Sequence, residues 1–225
     1  MNSTLCDLRE KEIVVPAGAV ALQGTAFIPR EPHGVVIFAH GSGSNRNSPR
    51  NRHVAAQMQR RQLATVLFDL LSPEEVALDD STCELRFDIP LLTDRLVAVT
   101  RWVERDPDLR GLGIGYFGAS TGAAAALAAA ARVPEVQAIV SRGGRTDLAG
   151  DAVKDVGAAV LMIAGGADEP VIHWNRESML DLPGVKHLEI LPGASHLFVE
   201  PGALALVARL AAEWFRVHLS SSRLP

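Results

Sequence analysis

The chain has 225 residues, 48% of them hydrophobic, and a formal net charge of −4 from 22 Lys+Arg against 26 Asp+Glu. This is enough apolar material for one α/β layer structure spanning residues 1–225, and without a basic excess nucleic acid is not the expected partner. Met1 to Lys11 is polar with charges of both signs, no apolar run reaches membrane-span length, and Cys6 and Cys83 lack metal-ligand spacing, so a cytoplasmic protein with no leader and no membrane segment is expected.

Ile13-Val14-Val15 and Ala19 to Ile28, punctuated by Pro16, Gly18 and Pro29, predict an antiparallel start. Val35-Val36-Ile37-Phe38-Ala39 has the continuous apolar pattern of a parallel strand buried on both faces, and it runs into His40-Gly41-Ser42-Gly43-Ser44. A helix from about Arg50 to Arg61 and a strand at Thr65-Val66-Leu67-Phe68 follow. Ser72-Pro73-Glu74-Glu75 and Asp79-Asp80 then read as a solvated polar loop, which leaves a strand's carboxyl end and could overhang a pocket there.

A helix from about Ile89 to Glu104 leads to the strand Leu112 to Phe117, the pentapeptide Gly118-Ala119-Ser120-Thr121-Gly122 and an alanine-rich helix from Ala123 to Ala131. Further strands are expected at Val136 to Val140, Ala158 to Ala164 and Val185 to Leu191, with a last helix from about Pro201 to His218. Such alternation predicts an α/β fold: a mostly parallel central sheet with helices on both faces. The 17 residues between Val140 and Ala158 (141 through 157) leave no room for a folded cap, which predicts an open site.

The G-x-S-x-G pentapeptide stands at a strand-to-helix corner, where small neighbours permit the strained turn that exposes a serine hydroxyl. A serine is a poor nucleophile near neutral pH and needs a base held by an orienting acid. In the chain order Ser, Asp, His, the acid is Asp168, beyond a strand and the pair Gly165-Gly166. The base is His196, in the loop Leu191-Pro192-Gly193-Ala194-Ser195-His196 beyond the next strand. His173 is the rival base, and Glu169 the rival acid.

The glycine-rich turn after Ala39 supplies an oxyanion hole, with the N–H of Thr121 and that of Ser42, or of Gly43 next to it, as donors. Such turns also cradle phosphates, but neither G-x-G-x-x-G nor G-K-[ST] follows this strand.

Arg142 and Arg145, just after a strand, are candidate grips for a substrate carboxylate or phosphate. Arg46, Arg50 and Arg52 are assigned to ordering their loop by salt bridges, and His40 to a structural hydrogen bond. The histidines show no metal-ligand spacing, and neither a metal nor a cofactor is expected.

On the Ser120 elbow, the Asp168 turn, the His196 loop and the His40-Gly41-Ser42-Gly43-Ser44 loop, nearly the whole chain resembles a small α/β-hydrolase of the dienelactone-hydrolase-like group. True dienelactone hydrolases carry a cysteine at the elbow. Ser120 in its place favours serine esterase chemistry. The stretches His40 to Asn51 and Phe68-Asp69-Leu70-Leu71 also resemble bacterial hydrolase domains found beside or fused to phosphoribosyltransferase domains.

The resemblance and the residues together imply a carboxylesterase-type enzyme that cleaves small esters or thioesters through an acyl-enzyme. Acyl transfer by the same triad, a serine peptidase and a non-catalytic ligand-binding module are the alternatives, and competing-alcohol product analysis separates acyl transfer from hydrolysis.

Overall fold

A computed structural model describes residues 8–220; Cys6 lies outside them. β1 (Arg9–Ala17) and β2 (Val20–Ile28) form the expected antiparallel hairpin. The remaining strands are β3 (Gly34–Ala39), β4 (Leu63–Phe68), β5 (Gly113–Ala119), β6 (Val136–Arg142), β7 (Ala159–Gly165) and β8 (Lys186–Leu191). Together they make one eight-stranded sheet in the order β1-β2-β4-β3-β5-β6-β7-β8, parallel from β4 through β8.

Strands β3, β4, β5 and β7 are buried at every position, as strands covered on both faces must be. Along β3 the side chains alternate between two cores: Val35 and Ile37 enter one, Val36 and Phe38 the other. The first core is closed by α3 (Ile89–Val103) and α4 (Thr121–Arg132), the second by α1 (Pro49–Gln59) and α6 (Ala203–His218). Helix α4 is nearly all alanine and its inner turns are fully buried, so it lies close over the sheet behind Ser120.

Two stretches differ from the sequence reading. The polar loop after β4 contains a helix, α2 (Pro73–Thr82), started by a capping box in which Ser72 and Glu75 satisfy each other's backbone N–H groups. Its Asp79 is buried rather than solvated. The segment before β8 holds a further helix, α5 (Glu169–Asp181), with Pro170 in its first turn, while the stretch between β6 and β7 folds as short 3₁₀ turns over Thr146–Asp155.

From β3 the chain winds toward β4 on one side and from β5 toward β8 on the other. The order therefore reverses between β3 and β5, and in open parallel sheets the crevice beyond the carboxyl ends at such a reversal receives the ligand. The His40–Ser44 turn leaves β3 at that place and Ser120 leaves β5 beside it.

Candidate active site

Ser120 has φ 51° and ψ −118°, a conformation that L-residues avoid and that costs of order 1–3 kcal/mol. Three backbone hydrogen bonds impose it: its N–H donates to Arg142 O at 3.1 Å, and its C=O accepts from Ala123 N at 3.1 Å and Arg145 N at 3.0 Å. The tight approach also depends on Gly122, where a Cβ would collide with the carbonyl oxygens of Ala39 and His40.

The loops after β7 and β8 are stitched together, with Gly166 N donating to Leu191 O at 2.7 Å and Ala167 N to Ala194 O at 3.0 Å. That lattice brings Asp168 and His196 into contact: His196 Nδ1 lies 2.6 Å from Asp168 Oδ2. The carboxylate is the more buried partner, and the imidazole is 40% exposed. Phe198, fully buried two residues on, anchors the histidine loop in the core, and Gly143 at φ 54° lets the chain pass beside the ring. His196 and Ser120 line one cleft of about 180 Å³.

His173 is exposed on α5, 3.3 Å from Glu177, and Glu169 opens the first turn of the same helix; neither lines the cleft.

Ser42 and Thr121 face a second, larger cavity of about 380 Å³ that shares the Gly41–Ser44 turn with the first. Leu71 with Pro73 and Val76 of α2 also line it, so the stretch expected to be a loop borders this cavity as a helix.

His40 ties the turn to the segment after β4: its Nδ1–H donates to Gly41 O at 3.0 Å and its Nε2 accepts from Leu70 N at 3.0 Å. Burial lowers its pKa, against a smaller upward pull from the Gly41 carbonyl, so the ring is neutral and structural.

The arginines separate sharply. Arg46 pairs with Asp69, and Arg52 donates to Asn47 Oδ1. Arg145 turns away from both clefts, 2.8 Å from Asp147 and 4.2 Å above the Trp174 ring. Arg142 lines the Ser120 cleft and is 7% exposed, and its Nε and Nη1 find no hydrogen-bond partner.

Arg50, assigned by sequence to loop ordering, lines the same cleft and also has an unpartnered Nε. Burial, with repulsion from Arg50, pushes Arg142 down to about 10, which leaves it cationic at neutral pH. Ser48 and Asn51 at the start of α1 complete that wall and were not singled out in the sequence. Among the described residues no group of three His, Cys, Asp or Glu side chains is placed to hold a metal.

A parallel-rich eight-stranded sheet with a strained serine at the β5–α4 corner and a His–Asp pair on the loops after β8 and β7 defines an α/β hydrolase. More narrowly, residues 22–217 match the model of the dienelactone hydrolase family, and the chain belongs to that family.

The chain is similar to a crystallised dienelactone hydrolase from Anabaena variabilis: 54% identity, TM-score 0.93, covering 95% of this chain and 99% of that one. It shares its fold, at 17% identity and TM-score 0.73, with the esterase domain of a Rhodothermus marinus protein, covering 93% and 99% of the two chains. A Mycobacterium tuberculosis protein named putative phosphoribosyl transferase is 51% identical over 214 residues, 94% of this chain. The chain spans 47% of that relative's length.

Proposed function

We propose that this hydrolase cleaves carboxylic esters or thioesters of small molecules through Ser120, His196 and Asp168. The observation that carries the reading is the 2.6 Å contact between His196 Nδ1 and Asp168 Oδ2 in a loop whose histidine shares a cleft with the strained Ser120. The carboxylate fixes the imidazole tautomer with its proton on Nδ1, leaving Nε2 as the base.

Ser120 Oγ attacks the carbonyl carbon as Nε2 takes its proton, and the tetrahedral oxyanion is received by the backbone N–H groups of Thr121 and Ser42. The imidazolium then protonates the leaving alcohol or thiol, and the acyl group stays on Ser120. Water, deprotonated by the same nitrogen, releases the acid. Each oxyanion donor supplies about 3–4 kcal/mol of transition-state stabilisation.

The larger cavity, where Leu70, Leu71, Val76 and Leu92 join the oxyanion donors Ser42 and Thr121 in the lining, suits the bulkier half of the substrate. With no cofactor required by this chemistry and few thiols in the chain, the cytoplasm is the proposed location.

Rapid-mix hydrolysis of p-nitrophenyl acetate tests the reading. A burst of nitrophenolate close to one per chain, absent in Ser120→Ala, is expected. Steady release without a burst, unchanged in Ser120→Ala, would overturn it.

A further inference from the structure

Buried charge is tolerated when it is paired, and an isolated buried cation is costly. Arg142 breaks that rule inside the site. The residue is almost wholly buried with Nε and Nη1 unpartnered, Arg50 beside it has an unpartnered Nε, and among the described residues the charge that shifts Arg142 is that second cation. Neither arginine ion-pairs with an acid among the described residues, whereas Arg46, Arg86 and Arg145 each do.

Both unpaired arginines line the cleft that holds Ser120 and His196, and that cleft abuts the amino terminus of α1, an eleven-residue helix capped by Ser48. The helix dipole adds further positive potential there.

We propose that this cleft is a phosphoryl-binding subsite, and that the ester cleaved at Ser120 carries a phosphate group held by Arg142 and Arg50. The phosphate is the better match in charge and in number of acceptors. Two guanidinium cations and a helix terminus call for a dianion, and a phosphate's three oxygens can answer two forked guanidinium groups at once. A carboxylate offers one charge and two oxygens, which leaves a cation unbalanced.

The substrate assignment rests on the reading of Ser120 as nucleophile. The anion site stands without it.

Inorganic phosphate is therefore titrated calorimetrically at pH 8, where it is a dianion, into the parent chain and Ser120→Ala, with acetate as the monoanion control. Phosphate is expected to bind both chains, acetate far more weakly. Arg142→Gln and Arg50→Gln should each weaken phosphate binding by about tenfold or more. Unchanged phosphate affinity in Arg142→Gln, acetate binding as tight as phosphate, or no phosphate binding to the folded parent would each overturn the proposal.

The variants also separate this role from a structural one. Arg142→Gln removes an unpaired buried cation and breaks no ion pair, so it should melt close to the parent. A clear drop in its melting temperature, with phosphate failing to raise that of the parent, contradicts the subsite. Should Arg142→Gln fail to fold, Arg50→Gln, on the helix edge, still reads the phosphate affinity. Phosphate binding with p-nitrophenyl acetate turnover unchanged in Ser120→Ala would keep the subsite and remove the nucleophile; a Ser120-dependent burst without phosphate binding would do the reverse.

Discussion

In the larger cavity Arg46 lies on Asp69 and Arg86 on Asp79, while Arg50 and Arg142 line the smaller one with no acid among the described residues paired to either. The two cavities meet at the same Gly41–Ser44 turn. The difference separates charges answered within the protein from charges that no acid answers among the described residues. Asp79 shows the first kind. It accepts from the backbone N–H of Arg86 at 3.0 Å and from its Nε at 2.5 Å, and so ties α2 to the turn that follows it. Arg142 shows the second, placed by the β6 register beside Ala119 with its side chain unpaired.

The largest expected effect concerns the serine that lines the smaller cavity. Asp168→Asn leaves both walls intact but favours the wrong imidazole tautomer, and acylation of Ser120 by p-nitrophenyl acetate should slow about 10⁴-fold. A loss under about tenfold would mean that the His196–Asp168 contact is not what activates the serine.

Next in size is the paired wall. Asp79→Asn should lower stability in urea unfolding by about 1–3 kcal/mol, since it leaves the Arg86 guanidinium without its anion. Burial raises the Asp79 pKa, but the hydrogen bonds from Arg86 outweigh it and hold the carboxyl below its ordinary 3.8. Its contribution is therefore present above the ordinary carboxylate range and is lost as pH falls through the lowered native value. The gap between parent and Asp79→Asn should close in strong acid. A gap that stayed constant would show packing rather than charge at work.

The smallest effect is at His40. Its native pKa is lowered from 6.5, so the unfolded chain binds the proton first. The stabilisation is complete above 6.5 and declines as pH falls below it. His40→Gln should flatten the stability profile in that window, and an unaltered slope would place the acid sensitivity elsewhere.

Much of this was legible in the sequence, for physical reasons. The runs at Val35 and Leu112 are apolar at consecutive positions because both faces of their strands are covered, and the corner at Ser120 needs small residues on either side. The contact of Asp168 with His196 follows from two loops leaving adjacent parallel strands.

Helix α2 was signalled by Ser72 followed three residues later by Glu75, a capping box that the density of charge after it obscured. Which arginines enter the cleft was not legible. Arg142 and Arg145 are three residues apart, Arg50 and Arg52 two, and their long side chains could turn either way. The choice is made by Asp147, Trp174 and Asn47, whose positions depend on tertiary structure.

The central claim, an activated serine at the β5–α4 corner, is tested most directly by intact-mass spectrometry after reaction with a fluorophosphonate. The account predicts a single adduct on the parent chain, mapped to Ser120 and absent from Ser120→Ala and His196→Ala. A folded parent that takes no adduct, or one that carries it on another residue, would contradict it.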